Sequence, residues 1–213
     1  MARADALDAI FARRSIGRLA PPAPEPDELT LILAAAAAAP DHGELRPWRF
    51  IVLADSDKDD FGVVLADAYQ GRCRAEAKEP TAGQLHKERT KLGRAPVVVV
   101  VAALRRESDT IPWIEQFAAA AAAAQNALIA ATALGYGSMW RTGDVAYDPA
   151  VKSALGLGAD DAVVGFVYLG TPAMAAAKPP RRPDMTGLVA YWRRTSAGGE
   201  RVAGLGDQLD LER

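Results

Sequence analysis

Apolar residues Leu7, Ile10 and Phe11 recur at spacings of three and four within residues 4–12. That is the period of a short amphipathic helix, and it runs into Arg13-Arg14-Ser15. A proline-rich connector over 21–26 follows. Asp27 is then placed to N-cap a helix through Leu29, Ile32, Leu33 and the alanines 34–39, which Pro40 ends. Aromatic and β-branched residues alternate over 48–53 and predict a strand, with a helix from about 58 to 73 behind it. Residues 72–94 are mixed and basic, and read as helix plus surface loop. The unbroken valine run 97–101 predicts a strand covered on both faces.

Residues 112–134 hold Trp113, Ile114, Phe117, the alanines 118–124, Leu128 and Ile129. As a helix this segment is about 35 Å long. It is weakly apolar all round, so it needs cover on nearly every side, and a second subunit is expected to supply part of it. A strand over 138–141, a short helix over 149–155 and a strand over 163–169, closed by Gly170-Thr171-Pro172, complete the pattern. Beyond 173 the chain reads as extended, with Leu188, Val189, Tyr191 and Trp192 able to anchor it and the last dozen residues poorly ordered. The organisation expected is one domain over 1–192 and a partly disordered tail over 193–213.

Composition narrows the function classes. Lys and Arg number 25 against 27 Asp and Glu, a net charge of -2, which gives no electrostatic reason to expect nucleic acid or an anionic membrane surface. One cysteine and two histidines cannot form an intrachain disulfide or a Cys/His metal cluster. The apolar stretch 117–134 is mostly alanine with Gln125-Asn126 at its centre, so it reads as a buried helix and not a membrane span. The first residues lack the apolar core of a secretory signal, and a cytoplasmic location is expected. The partner implied is a small molecule.

Three arginine clusters stand at predicted element ends: Arg13-Arg14-Ser15, Arg46-Pro47-Trp48-Arg49 and Trp140-Arg141-Thr142-Gly143. Guanidinium forks and hydroxyls suit a phosphate, and a following glycine lets backbone approach a ligand. Each cluster taken alone is more readily read as cations complementing a helix C-terminus. His42, in the polar turn Ala39-Pro40-Asp41-His42-Gly43, is a site candidate, whereas His86 lies in a hydrophilic stretch and reads as surface. Cys73, between Arg72 and Arg74, has no histidine near it in sequence and reads as an inert or mildly reactive thiol. Gly135-Tyr136-Gly137 follows a helix and has Trp140 where a third glycine belongs, which rejects the dinucleotide fingerprint, and no P-loop pattern occurs.

Taken in order, the segments ARRSI over 12–16, APDHGELRPWRF over 39–50, GYGSMWRTG over 135–143 and VGFVYLGTP over 164–172 resemble the FMN-dependent nitroreductase family, most closely its small YdjA-like branch. The resemblance covers roughly residues 5 to 192. It implies an α+β fold with a mixed, mostly antiparallel sheet wrapped by helices, in an intertwined homodimer with FMN at the subunit interface. Arg13, Arg14 and Ser15 then hold the phosphate and ribityl side of FMN with Trp140, Arg141 and Thr142 of the same subunit. His42 and Arg46 reach it from the other subunit. Ala130, Ala131, Thr132, Ala133, Leu134 and Gly135 offer a contact for NADH or NADPH. The implied activity is ping-pong hydride transfer from the nicotinamide through FMN to a nitroaromatic, a quinone or a similar planar acceptor, with no catalytic side chain and no metal. The alternatives are a flavin-binding dimer with a sensing or carrier role, or another FMN-dependent reductase or dehydrogenase reaction. Many relatives carry a basic residue two positions after the serine of the first motif, and here that position is Gly17.

Overall fold

The computed structural model describes residues 5–174, 184–194 and 200–204, and the chain divides into two compact units, Met1–Lys178 and Pro179–Arg213. In the first unit, α1 (Ala6–Ala12) starts where the Asp5 carboxylate accepts the Leu7 N–H at 2.9 Å. The connector after it contains a short strand, β1 (Leu19–Ala20), that the sequence pattern does not announce. The next helix, α2 (Pro26–Ala37), begins two residues earlier than expected. Glu25, not Asp27, is its N-cap, in a capping box with Glu28, whose carboxylate accepts the Glu25 N–H at 3.0 Å. Pro26 fits the first helical position because no N–H is needed there, and Asp27 falls in the first turn, where it complements the dipole.

Next come β2 (Trp48–Ala54), α3 (Asp55–Ala75) and α4 (Ala82–Thr90), the last continuing into a 3-10 turn at Lys91–Arg94. The remaining elements are β3 (Val97–Ala103), α5 (Trp113–Ala133), β4 (Gly137–Arg141), α6 (Pro149–Ala154) and β5 (Ala162–Pro172). In the sheet, β5 carries β3 on one edge and both β1 and β4 on the other, and β2 lies outside β3. All these pairings are antiparallel, and the parallel element is the isolated bridge between Ser15 and Ser138. β5 does not stop at Leu169, because β1 pairs with its end through Leu19 and Pro172.

β3 is buried along its whole length, as an all-apolar strand between two helical layers must be. Val98, Val100 and Ala102 face a core with Phe61, Leu65 and Val151 from α3 and α6. Val97, Val99 and Val101 face Ile32, Ala120, Ala124 and Leu128 from α2 and α5. Within one chain α5 is covered along one stripe, through Ala120, Ala123, Ala124, Ala127 and Ala131, and not on nearly every side: Ala118 is exposed and Ile114 is 70% exposed. On the other face α3 and α4 approach very closely. A Cβ at Gly62 would lie 2.0 Å from the Arg89 carbonyl oxygen, so only glycine permits the contact that sets where α4 sits. No helix among the described residues is long and apolar enough to cross a membrane.

The second unit contains an antiparallel hairpin, β6 (Ala190–Arg194) with β7 (Glu200–Gly204), where the sequence pattern predicts only extended chain. The final residues, 205–213, lie outside the described residues.

Candidate functional site

The two arginine motifs nearest the chain's middle and start are joined by backbone. Arg13 caps the C-terminus of α1, its N–H bonded to the Ala9 carbonyl. The chain then crosses to β4, where Ser15 bridges Ser138 and the Ile16 N–H donates to the Ser138 carbonyl at 2.9 Å. Ser15 is thereby set against the start of β4, with Arg13 and Arg14 just before it and Trp140 and Arg141 at the strand's other end, followed by Thr142. The Ser138 hydroxyl, at this junction, is buried with no hydrogen-bond partner among the described residues.

Strand alternation sends Trp140 and Arg141 to opposite faces of the sheet. Trp140 packs with the α2 and α5 layer, and its indole N–H donates to the Val164 carbonyl at 3.1 Å. It fits because position 165 is glycine: a Cβ there would lie 2.1 Å from the indole nitrogen. Arg141 lies on the other face, where its Nε–H donates to Met139 Sδ at 3.2 Å. With Thr142 it lines a cavity of about 110 Å³ whose apolar walls include Leu65, Val145 and Phe166.

That cavity holds residues that the sequence reading missed. Lys87, Lys91 and Arg94 enter it from α4 and the following 3-10 turn, together with Glu88, which forms an ion pair with Lys91. Spacings of four and three put these cations on one side of a helical turn, and that was the available signal in a stretch read only as basic surface. Tyr168 also lines the cavity. Burial pushes its hydroxyl pKa up, while the charges of Arg141 and Arg94 pull it back.

His42 and Arg46 are elsewhere. His42 sits in a 3-10 turn (His42–Glu44), and its Nδ1 is 2.7 Å from the carboxylate of Glu115 in the first turn of α5. The Arg46 N–H donates to Asp41 at 2.6 Å, closing a loop in which Gly43, Glu44 and Arg46 all have positive φ. Such backbone costs about 1–3 kcal/mol per non-glycine residue and is held here by the bonds at its ends. Gly135 and β4 follow the far end of α5, and a helix of 21 residues spans about 30 Å. In one chain the bonds of this loop run to Glu115 from His42 and to Asp41 from the Arg46 N–H.

The six residues 130–135 form the last turn of α5 and its exit. Gly135, at φ +88, turns the chain toward β4, and Tyr136 ties the turn to α2 by donating to the Glu28 carboxylate. This bond is the main cause that raises the Tyr136 pKa to about 12. The segment contains no cation, and a helix C-terminus presents carbonyl oxygens, so it can accept hydrogen bonds but is unsuited to hold a phosphate. Cys73 is buried on α3, and His86 is exposed on α4.

The model of the nitroreductase family matches residues 10–171. The chain belongs to the nitroreductase family. This nitroreductase-family chain is 37% identical over 188 residues to "Putative NAD(P)H nitroreductase YdjA" of Escherichia coli K12, covering 88% of this chain and 100% of that protein, which supports the YdjA-like branch. Among solved structures, a nitroreductase from Desulfovibrio desulfuricans in complex with FMN is 29% identical with a TM-score of 0.61, over 84% of this chain and 92% of that one. A nitroreductase-like protein from Bacillus cereus, 23% identical, shares the fold at a TM-score of 0.69, over 86% and 94% of the two chains.

Proposed function

We propose that this nitroreductase-family chain is a homodimeric FMN enzyme that takes hydride from NADH or NADPH and delivers it to a small planar acceptor such as a nitroaromatic or a quinone. The observation that supports the reading is the Ser15–Ser138 junction, which joins the segment bearing Arg13 and Arg14 to the start of the strand whose other end carries Arg141. The donor set fits FMN: guanidinium groups for a phosphate dianion and the exposed Ser15 and Thr142 hydroxyls for a polyol. The FMN held by the Desulfovibrio relative, and the name of the Escherichia relative, support the same cofactor and donor.

FMN, when bound, supplies the hydride chemistry, and the protein supplies binding, orientation and electrostatics. Arg13 and Arg14 would hold the phosphate, each charge-assisted bond contributing about 1.5–3 kcal/mol, and Arg141 would lie further along the flavin, at the end of β4 near Met139 and Gly17. Trp140, on the opposite face of β4, is fixed by its bond to the Val164 carbonyl and holds in place the strand that bears Arg141. Residues 130–135 contact the nicotinamide nucleotide through its neutral donors. One pocket serves both half-reactions, so the oxidised nucleotide leaves before the acceptor enters.

His42 and Arg46 complete the site from a second copy, as the family resemblance implies; within one chain His42 is bonded to Glu115 and the Arg46 N–H to Asp41. The apolar residues of α1 support this: Leu7, Ile10 and Phe11 are 61%, 43% and 46% exposed, a row that a partner would cover. The deciding experiment is anaerobic titration of the FMN-loaded protein with NADH and NADPH, alongside its mass in solution at micromolar concentration. Bleaching of the flavin absorbance by either nucleotide, in a dimer, is expected. A flavin that neither reduces overturns the reductase assignment, and a monomer overturns the shared site.

A further inference from the structure

The cavity beside Arg141 has an unbalanced charge. Lys87, Lys91, Arg94 and Arg141 line it against the single carboxylate of Glu88, which Lys91 already pairs. Lys87 is exposed at its rim and Lys91, Arg94 and Arg141 are half-buried, so the space carries a surplus of positive charge that an anion would offset. Arg141 and Thr142 belong to both the cavity and the cofactor cluster, so the charge lies at that cluster's edge. At the same edge, Gly17 brings no side chain. A Cβ there would meet Met139 Sδ at 3.9 Å, and this is the sulfur that accepts the Arg141 Nε–H.

We propose that Lys87, Lys91 and Arg94 form the electrostatic half of the cofactor site, replacing the side chain that Gly17 lacks and taking up the negative charge that arrives with hydride. The inference rests on the FMN reading above. Hydride carries two electrons and one proton from the nicotinamide ring to the flavin. The nucleotide becomes one charge more positive and the flavin one charge more negative, and no side-chain proton is needed. A fixed set of cations at this edge therefore favours the reduced cofactor over the oxidised one. α4 holds them there through its close packing on α3 at Gly62.

The test is the midpoint potential of FMN in the holoprotein, read from flavin absorbance in equilibrium with a reference dye. Lys91→Met and Arg94→Gln are each expected to weaken reduced relative to oxidised flavin about tenfold, a fall of roughly 30 mV for a two-electron couple. Glu88→Gln is expected to move the potential the opposite way, which loosened packing would not do. Adding Gly17→Lys to Lys91→Met is expected to restore it. If Lys91→Met fails to fold because Glu88 is left unpaired, Arg94→Gln and Glu88→Gln still decide the matter. Flavin bound with potentials equal to wild type in those two variants overturns this inference alone. A wild-type protein that takes up no FMN overturns the cofactor reading and this inference with it.

Discussion

On one face of the sheet α5 packs on β3 and β5 through Ala120, Ala123, Ala124 and Ala127, while on the other α4 brings Lys87, Lys91 and Arg94 to the rim of a cavity. Methyl side chains let a helix lie close to the strands and leave no room for a ligand. Long cationic side chains hold their layer open around Arg141. β4 divides its own motif between these two environments. Trp140 is committed to the packed face and Arg141 to the charged one, so two residues that read as one motif do different work.

This contrast can be broken by substitution. The largest expected effect is on the packed face: Ala124→Leu inserts volume at a fully buried position and should cost about 3 kcal/mol, or roughly 6–12 °C in Tm, with FMN affinity of the folded protein little changed. Calorimetry and flavin titration together check it. The charged face should behave in reverse. Arg141→Ala, or Arg13→Ala, should weaken FMN binding about 10- to 150-fold with the Tm of the apoprotein nearly unmoved, and equal flavin content in variant and wild type would remove these arginines from the site.

The smallest effect is expected at the turn that joins α5 to β4. Tyr136→Phe deletes the bond to Glu28 and should lower Tm slightly. That bond, followed by the Glu25 N–H, holds the Glu28 carboxyl below its ordinary value of 4.5. The unfolded chain takes up this proton more readily, so the contribution is full above pH 4.5 and is lost as pH falls through the depressed value. Tyr136 is raised from 10 to about 12, so its share is present below pH 10 and disappears as pH rises through 12. The Tm difference between variant and wild type should therefore narrow at both extremes, and a constant difference across pH would show that the bond is not its source.

Long uniform runs were legible in the sequence because a single physical rule decides them. Five valines in a row cannot be solvated on either face, and seven alanines between aromatic and aliphatic residues favour helix. β1 was hidden because two residues carry no period, and only β5 as a partner makes them a strand. The β6–β7 hairpin was hidden because its pairing depends on register, which a single segment does not display. The Glu25 cap was missed because aspartate is the commoner N-cap residue, yet Pro26 suits the first helical position so well that it moves the cap outward. At the site, arginines and hydroxyls stood out as motifs. The α4 cations did not, because their meaning comes from Gly62, which lies on another helix and allows that helix to touch.

β5 hydrogen-bonds β1, β3 and β4, so elements from the beginning, middle and later part of the chain all depend on residues 162–172. During synthesis only the β2–β3 ribbon can zip before that segment leaves the ribosome. The junction of the two arginine motifs, made on a strand docked to β5, is thus assembled among the last parts of the first unit. A nascent chain arrested short of residue 162 carries both arginine motifs and has no scaffold on which they can meet.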